Sequence, residues 1–151
     1  MQRWIIAAAV LLVLMVGSAA VALRVHRQNQ STQVWLPMPI NPALTSERRE
    51  ATVVLLKQKL SEHSLLAQVS KDVGLTKKMK YTSDEEAAAD LGKRLFVEIG
   101  QADTTKGKVP SINVGMKCKV KEFKTMGEVT NRLGKDIFAI LGIPEPAKDS
   151  F

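Results

Sequence analysis

The chain has 151 residues, of which 45% are hydrophobic, 25% charged and only 5% aromatic, with a formal charge of +7 at neutral pH. One cysteine, Cys118, excludes an intrachain disulfide and a cysteine-based zinc site. The length leaves room for one hydrophobic core, and the shortage of aromatics leaves Leu, Val, Ile and Met to fill it.

The first element is an unbroken apolar run from Trp4 to Leu23, with Arg3 before it and Arg24 and Arg27 after it. About 20 residues at ~1.5 Å each span ~30 Å, the thickness of a bilayer's hydrocarbon core. The run therefore predicts a single transmembrane helix, with residues 1–27 forming the membrane anchor and its flanks. Ala20-Val21-Ala22 would serve as a signal-peptidase site, but the run exceeds the ~7–15 residues of a signal-peptide core, so the anchor is expected to be retained. Basic flanks on both sides leave the orientation undecided by charge. The expected arrangement is single-pass in the inner (cytoplasmic) membrane, with the N-terminus in the cytoplasm and a periplasmic, extracytoplasmic domain. Trp4 and Trp35 fit interfacial anchors, and Trp35 fits a half-buried strand residue equally well.

Residues 28–31 read as a polar linker, 32–143 as an α+β domain and 144–151 as a C-terminal tail. Thr32 to Met38 is a strand that Pro37 and Pro39 confine to a sheet edge or its end, and Asn41-Pro42 is a turn. From Ser46 the spacing is helical, with Val53, Leu56 and Leu60 on one face. A second helix from Ser64 places Leu65, Leu66, Val69 and Val73 together. Gly74 stands where a left-handed C-terminus is wanted, and Leu75 packs after it. Ser83 and Glu86 form a capping box, strengthened by Asp84 and Glu85 at the positive end of the helix dipole. Leu91 and Leu95 face inward from that helix, which leads into a short strand, Phe96 to Ile99, and a polar loop, Gly100 to Pro110.

Ser111 to Val120 alternates strictly, with Ile112, Val114, Met116, Cys118 and Val120 on one face. That is a half-buried strand, and a sheet with one apolar face is covered by helices on one side only. Thr125 and Glu128 form a second capping box, followed by the stripe Met126, Val129, Leu133, Ile137, Ile140 and Leu141, stopped by Gly142 and Pro144. The predicted fold is a single N-terminal transmembrane helix followed by a small sheet with helices packed on one face.

Signals of catalysis are missing. His26 and His63 have no carboxylate or thiol at ligand spacing, and GxSxG, HExxH and GxxxxGK[ST] do not occur. Asp84, Glu85 and Glu86 are accounted for by their place in a first helical turn, and Cys118 by the apolar face of its strand. No catalytic residue, metal site or cofactor is expected. The remaining cluster is basic: Lys117 and Lys119 share the polar face of one strand, and Lys121 and Lys124 continue from its end. It is read either as a solvated sheet face or as a contact for an anionic polysaccharide, a lipid headgroup or an acidic partner domain. Without interleaved aromatics it does not suit nucleic acid.

Leu55 to Leu75, LLKQKLSEHSLLAQVSKDVGL, resembles a helix of the chain-length determinant proteins, the polysaccharide co-polymerases. In that family a Ser precedes an apolar pair, then a Val, then a Leu, and Ser64, Leu65, Leu66, Val69 and Leu75 occupy those places. Leu91 to Ile99, Ile112 to Met116 and Glu128 to Leu133, with Asn131, are similar to the elements that follow. The resemblance covers Trp35 to Leu141 and is to the periplasmic base domain, in a short form lacking the second membrane span, the long outer helices and the tyrosine-kinase module.

It implies a non-enzymatic membrane-anchored scaffold that forms a homo-oligomer around polysaccharide polymerisation or export machinery. The alternative is a structural subunit of another envelope assembly, such as a pilus or secretion platform, or an accessory subunit of a multi-subunit membrane complex. An extracytoplasmic enzyme is the third class, disfavoured by the missing catalytic pairs.

Overall fold

Strict alternation produces the central strand. In β3 (Gly107–Lys119), Ile112, Val114, Met116 and Cys118 are buried on one side, while Lys117 and Lys119 point into solvent. Val120 departs from the pattern: the strand ends at Lys119, and Val120 opens a 3-10 turn, Val120–Glu122, with 45% of its surface exposed. The structure, a computed structural model, describes residues 22–105 and 107–142.

β3 is the middle of a three-stranded antiparallel sheet in the order β1-β3-β2, with β1 at Ser31–Pro39 and β2 at Leu95–Thr104. β1 lies at an edge, as its prolines require: Pro37 pairs with Asn113 and Pro39 with Ser111, and among the described residues no strand lies beyond them. Among the described residues six α-helices accompany the sheet: α1 (described over residues 22–29), α2 (Ser46–Leu60), α3 (His63–Val73), α4 (Leu75–Met79), α5 (Asp84–Arg94) and α6 (Phe123–Leu141). α6 covers β1 and β3, α2 covers β2, and α3 packs on α5 and α6. Met126, Val129, Leu133 and Ile137 of α6 join Ile112, Val114 and Met116 in one core with Leu56, Leu60, Leu66 and Leu91.

Local signals set several of these boundaries. Gly74 is left-handed (φ 68°), donates to the Ser70 and Lys71 carbonyls, and is followed by Leu75 with no exposed surface. Ser83 Oγ accepts the Glu86 N–H at 3.2 Å, and Glu86 reaches back to the N–H of Thr82 at 2.8 Å.

Other boundaries differ from expectation. Gly100 to Pro110 is not a loop: β2 runs to Thr104, Thr105 is a turn residue, and β3 begins at Gly107. Pro110 is tolerated because its carbonyl accepts from Ile40 N at 3.0 Å, so its backbone faces the β1 side and no β2–β3 bond is lost. α6 begins at Phe123, ahead of the expected Thr125–Glu128 box, because Glu122 already binds the Lys119 N–H at 3.0 Å and Glu128 turns instead to Lys78. Over residues 28–31, Gln28 and Asn29 are helical and Ser31 already belongs to β1.

The membrane expectations are corrected. Among the described residues no helix is long and apolar enough to cross a membrane. The described helical residues 22–29 carry Arg24, His26 and Arg27. α6 has 19 residues but carries Lys124, Glu128, Arg132, Lys135 and Asp136. The expected span, Trp4 to Leu23, lies outside the described residues except for Ala22 and Leu23. What is observed is a small α+β fold, and the single-pass, inner-membrane and periplasmic assignments that rested on the span do not stand with it.

Candidate functional site

The end of the sheet at which β3 runs into α6 brings together cations from segments distant in sequence. At its centre is Arg94, the last residue of α5, which has 24% of its side chain exposed. Arg94 Nε lies 2.7 Å from Asp90 Oδ2, and Nη1 lies 2.7 Å from Glu122 Oε2. Glu122 also holds the Lys119 backbone N–H, and the Tyr81 hydroxyl donates to Asp90. The chain Tyr81–Asp90–Arg94–Glu122–Lys119 thereby ties the α4–α5 connection to the 3-10 turn.

Burial alone would pull the Arg94 guanidinium down and push the Glu122 carboxyl up. The ion pair between them, with the Lys119 N–H on Glu122, outweighs burial and leaves Arg94 raised and Glu122 lowered. Burial, then the Asp90 contact, raises the Tyr81 hydroxyl well above its ordinary range.

Two clefts open on either side of this pair. One, of about 330 Å³, is lined by Thr32, Gln33, Arg94, Lys117, Cys118 and Lys119. It forms because β3 presents Lys117 opposite Gln33 and Lys119 opposite Ser31, while α5 ends against them. The other, of about 280 Å³, is lined by Lys78, Met79, Lys80, Lys121, Glu122 and Thr125. Lys80 caps α4 with φ 60°, the only positive φ at a non-glycine among the described residues, a conformation that costs roughly 1–2 kcal/mol. A third hollow, between α1 and Val120, adds Arg24 and Arg27 to the same end.

Of the four lysines singled out in the sequence, the structure brings Lys117 and Lys119 into one cleft and Lys121 into the other, while Lys124 in the first turn of α6 lines neither. Lys78, Lys80 and Arg94 complete the clefts from segments distant in sequence. Arg132 does not contribute, because Asp72 and Asp136 hold it at 2.8 and 2.7 Å. Among the described residues Lys80, Lys117, Lys119 and Lys121 have no carboxylate within ion-pair distance, whereas Lys78 pairs with Glu128.

Chemically the arrangement offers positive charge and hydroxyl donors. The Cys118 thiol is raised by burial, which keeps it protonated, and among the described residues no group of three His, Cys, Asp or Glu could hold a metal.

Glu122→Gln is expected to destabilise the fold by about 1–3 kcal/mol, the range for a hydrogen bond to a charged group. The pH dependence follows from the lowered folded value of Glu122. Its contribution is complete above the ordinary glutamate value near ~4.3 and is lost as pH falls through the folded value. Urea titrations should therefore show the gap between wild type and variant at neutral pH and its closure in acid. Equal stability at neutral pH would show that the pair holds nothing together.

Comparison of the chain with protein-family models, with curated proteins and with solved structures found no match.

Proposed function

We propose that this domain is a non-enzymatic scaffold, of the kind the chain-length determinant resemblance implies, that works as a homo-oligomer and holds an anionic polysaccharide against its basic end. The observation that carries the reading is the pair of clefts flanking Arg94–Glu122, with unpaired Lys117 and Lys119 on one side and Lys80 and Lys121 on the other. A repeating polyanion needs several cations held apart at defined spacing. Here the Arg94 network fixes the two groups relative to each other, and the hydroxyls of Thr32 and Thr125 sit beside them as donors. The open, shallow shape suits a chain passing over a surface better than a small molecule enclosed in a pocket. The Cys118 thiol at this end is raised by burial, the opposite of the lowering that activates a nucleophilic thiol.

The test is titration with polygalacturonate, a polymer carrying one carboxylate per sugar, against neutral dextran. Exposed lysine contacts contribute up to ~1 kcal/mol each, so Lys117→Ser, Lys119→Ser and Lys121→Ser together should weaken binding by roughly 10- to 100-fold. The affinity should also fall with added salt, since the screening length is ~8 Å at physiological ionic strength. Equal binding of dextran, or a triple variant as tight as wild type, would remove the reading. Capture of an acidic protein with no affinity for polygalacturonate would assign the clefts to a protein partner instead.

A further inference from the structure

The two edges of the sheet are not alike. β1 is blunted by Pro37 and Pro39, whereas the outer edge of β2 carries neither proline nor lysine over Leu95–Thr104, and no strand lies beyond it among the described residues. Side-chain burial shows the same gap. In the row Met38–Ile112–Ile99, Met38 and Ile112 are 8% and 2% exposed, but Ile99 is 46% exposed on the helix-covered side of the sheet.

We infer that β2 is a self-association edge, at which a second copy of this chain adds its own β2 antiparallel about a twofold axis at Ile99, joining two three-stranded sheets into one of six strands. The inference rests on the homo-oligomeric part of the function proposed above and specifies its interface.

Backbone direction permits the pairing. The Pro110 carbonyl faces β1, where it accepts from Ile40, so Gln101, its partner across the ladder, turns its N–H and C=O away from β3. By alternation Ile99 and Val97 do the same, and a twofold axis at Ile99 lets the two Ile99 residues exchange both hydrogen bonds.

Side chains then match across the seam. Ile99 meets Ile99 on the helix side, and Phe96 meets the small Ala102 on the other. Glu98 meets Gly100 of the second copy, against which the Asn113 amide is packed so closely that a Cβ on Gly100 would lie 2.2 Å from its nitrogen. Moving the axis one residue to Glu98 would set two carboxylates face to face, and like charges directly opposed are destabilising. At the ends of the seam, exposed Asp103 approaches Lys93, exposed at the end of the second copy's α5, so the charges are complementary. An isologous contact of this kind closes on itself and gives a dimer.

Sedimentation of the full chain tests the inference. The wild type should show a concentration-dependent dimer. Ile99→Lys, which places two ammonium groups at the axis, should weaken it at least about tenfold. Gln101→Pro removes an N–H that points away from β3, so it should leave the folded monomer intact by circular dichroism and weaken the dimer as strongly. Asp103→Lys should weaken it less, and Lys93→Asp in the same chain should restore it. A wild type that stays monomeric overturns this interface and the oligomeric part of the function together. A dimer indifferent to Ile99→Lys and Gln101→Pro overturns the interface alone.

Discussion

Gly115→Ala is expected to destabilise the domain by about 2–4 kcal/mol, at or above the usual range for overpacking. Gly115 sits in the middle strand opposite Phe96 on one side and Trp35 on the other. A Cβ there would lie 2.2 Å from the Val34 carbonyl oxygen, 2.7 Å from Trp35 Cβ and 2.8 Å from Phe96 Cζ. The Phe96 ring could swing aside, but the Val34 carbonyl belongs to a strand in register with β3 over nine residue pairs and cannot retreat without opening that ladder. Gly127→Ala is the control: on the α6 helix its Cβ would meet only Val34 Cγ1 at 4.0 Å. Helix propensity should make that change neutral or stabilising by up to ~1 kcal/mol. Urea titration with constant m-values measures both, and a Gly115→Ala loss under ~0.5 kcal/mol would mean that the close approach is absent.

Leu133→Ala should cost about 2–5 kcal/mol, the range for a buried large-to-small change. Leu133 has no exposed surface and stands in the α6 stripe with Met126, Val129 and Ile137, each likewise at 0%. α6 covers both β1 and β3, so a cavity beneath Leu133 loses contacts on the helix and on the sheet at once. Ile140→Ala, at a partly buried position of the same helix, should cost distinctly less. Equal and small losses at both positions would show that this helix lies at the periphery of the core.

The elements visible in the sequence are those whose signal is local. Alternation in Ile112, Val114, Met116 and Cys118 determines which side of β3 is buried, because side chains repeat every two residues whatever the partner strand is. The α6 stripe, the Ser83 cap and the Gly74 terminus are equally local, since periodicity and orphan backbone groups are settled within one or two turns. The candidate site was legible in part for the same reason: Lys117 and Lys119 share a strand face by alternation alone.

Tertiary structure decided the rest. Gly100 to Pro110 carries Gly, Thr and Pro punctuation that reads as a loop, yet β3 offers a ladder that extends β2 to Thr104 and leaves Pro110 facing the β1 side. Glu122, not Thr125, sets the start of the last helix, because its carboxylate is held by Arg94 from a helix 28 residues away. The clefts join Thr32, Lys80, Arg94 and Lys121, separated by up to 89 positions, and exclude Lys124, three residues from Lys121, since a helical turn carries it away. Residue types and their spacing determined which faces could be apolar or charged. Only the packing of distant segments decided which of those charges meet, because charges from separate segments leave no periodic trace along the chain.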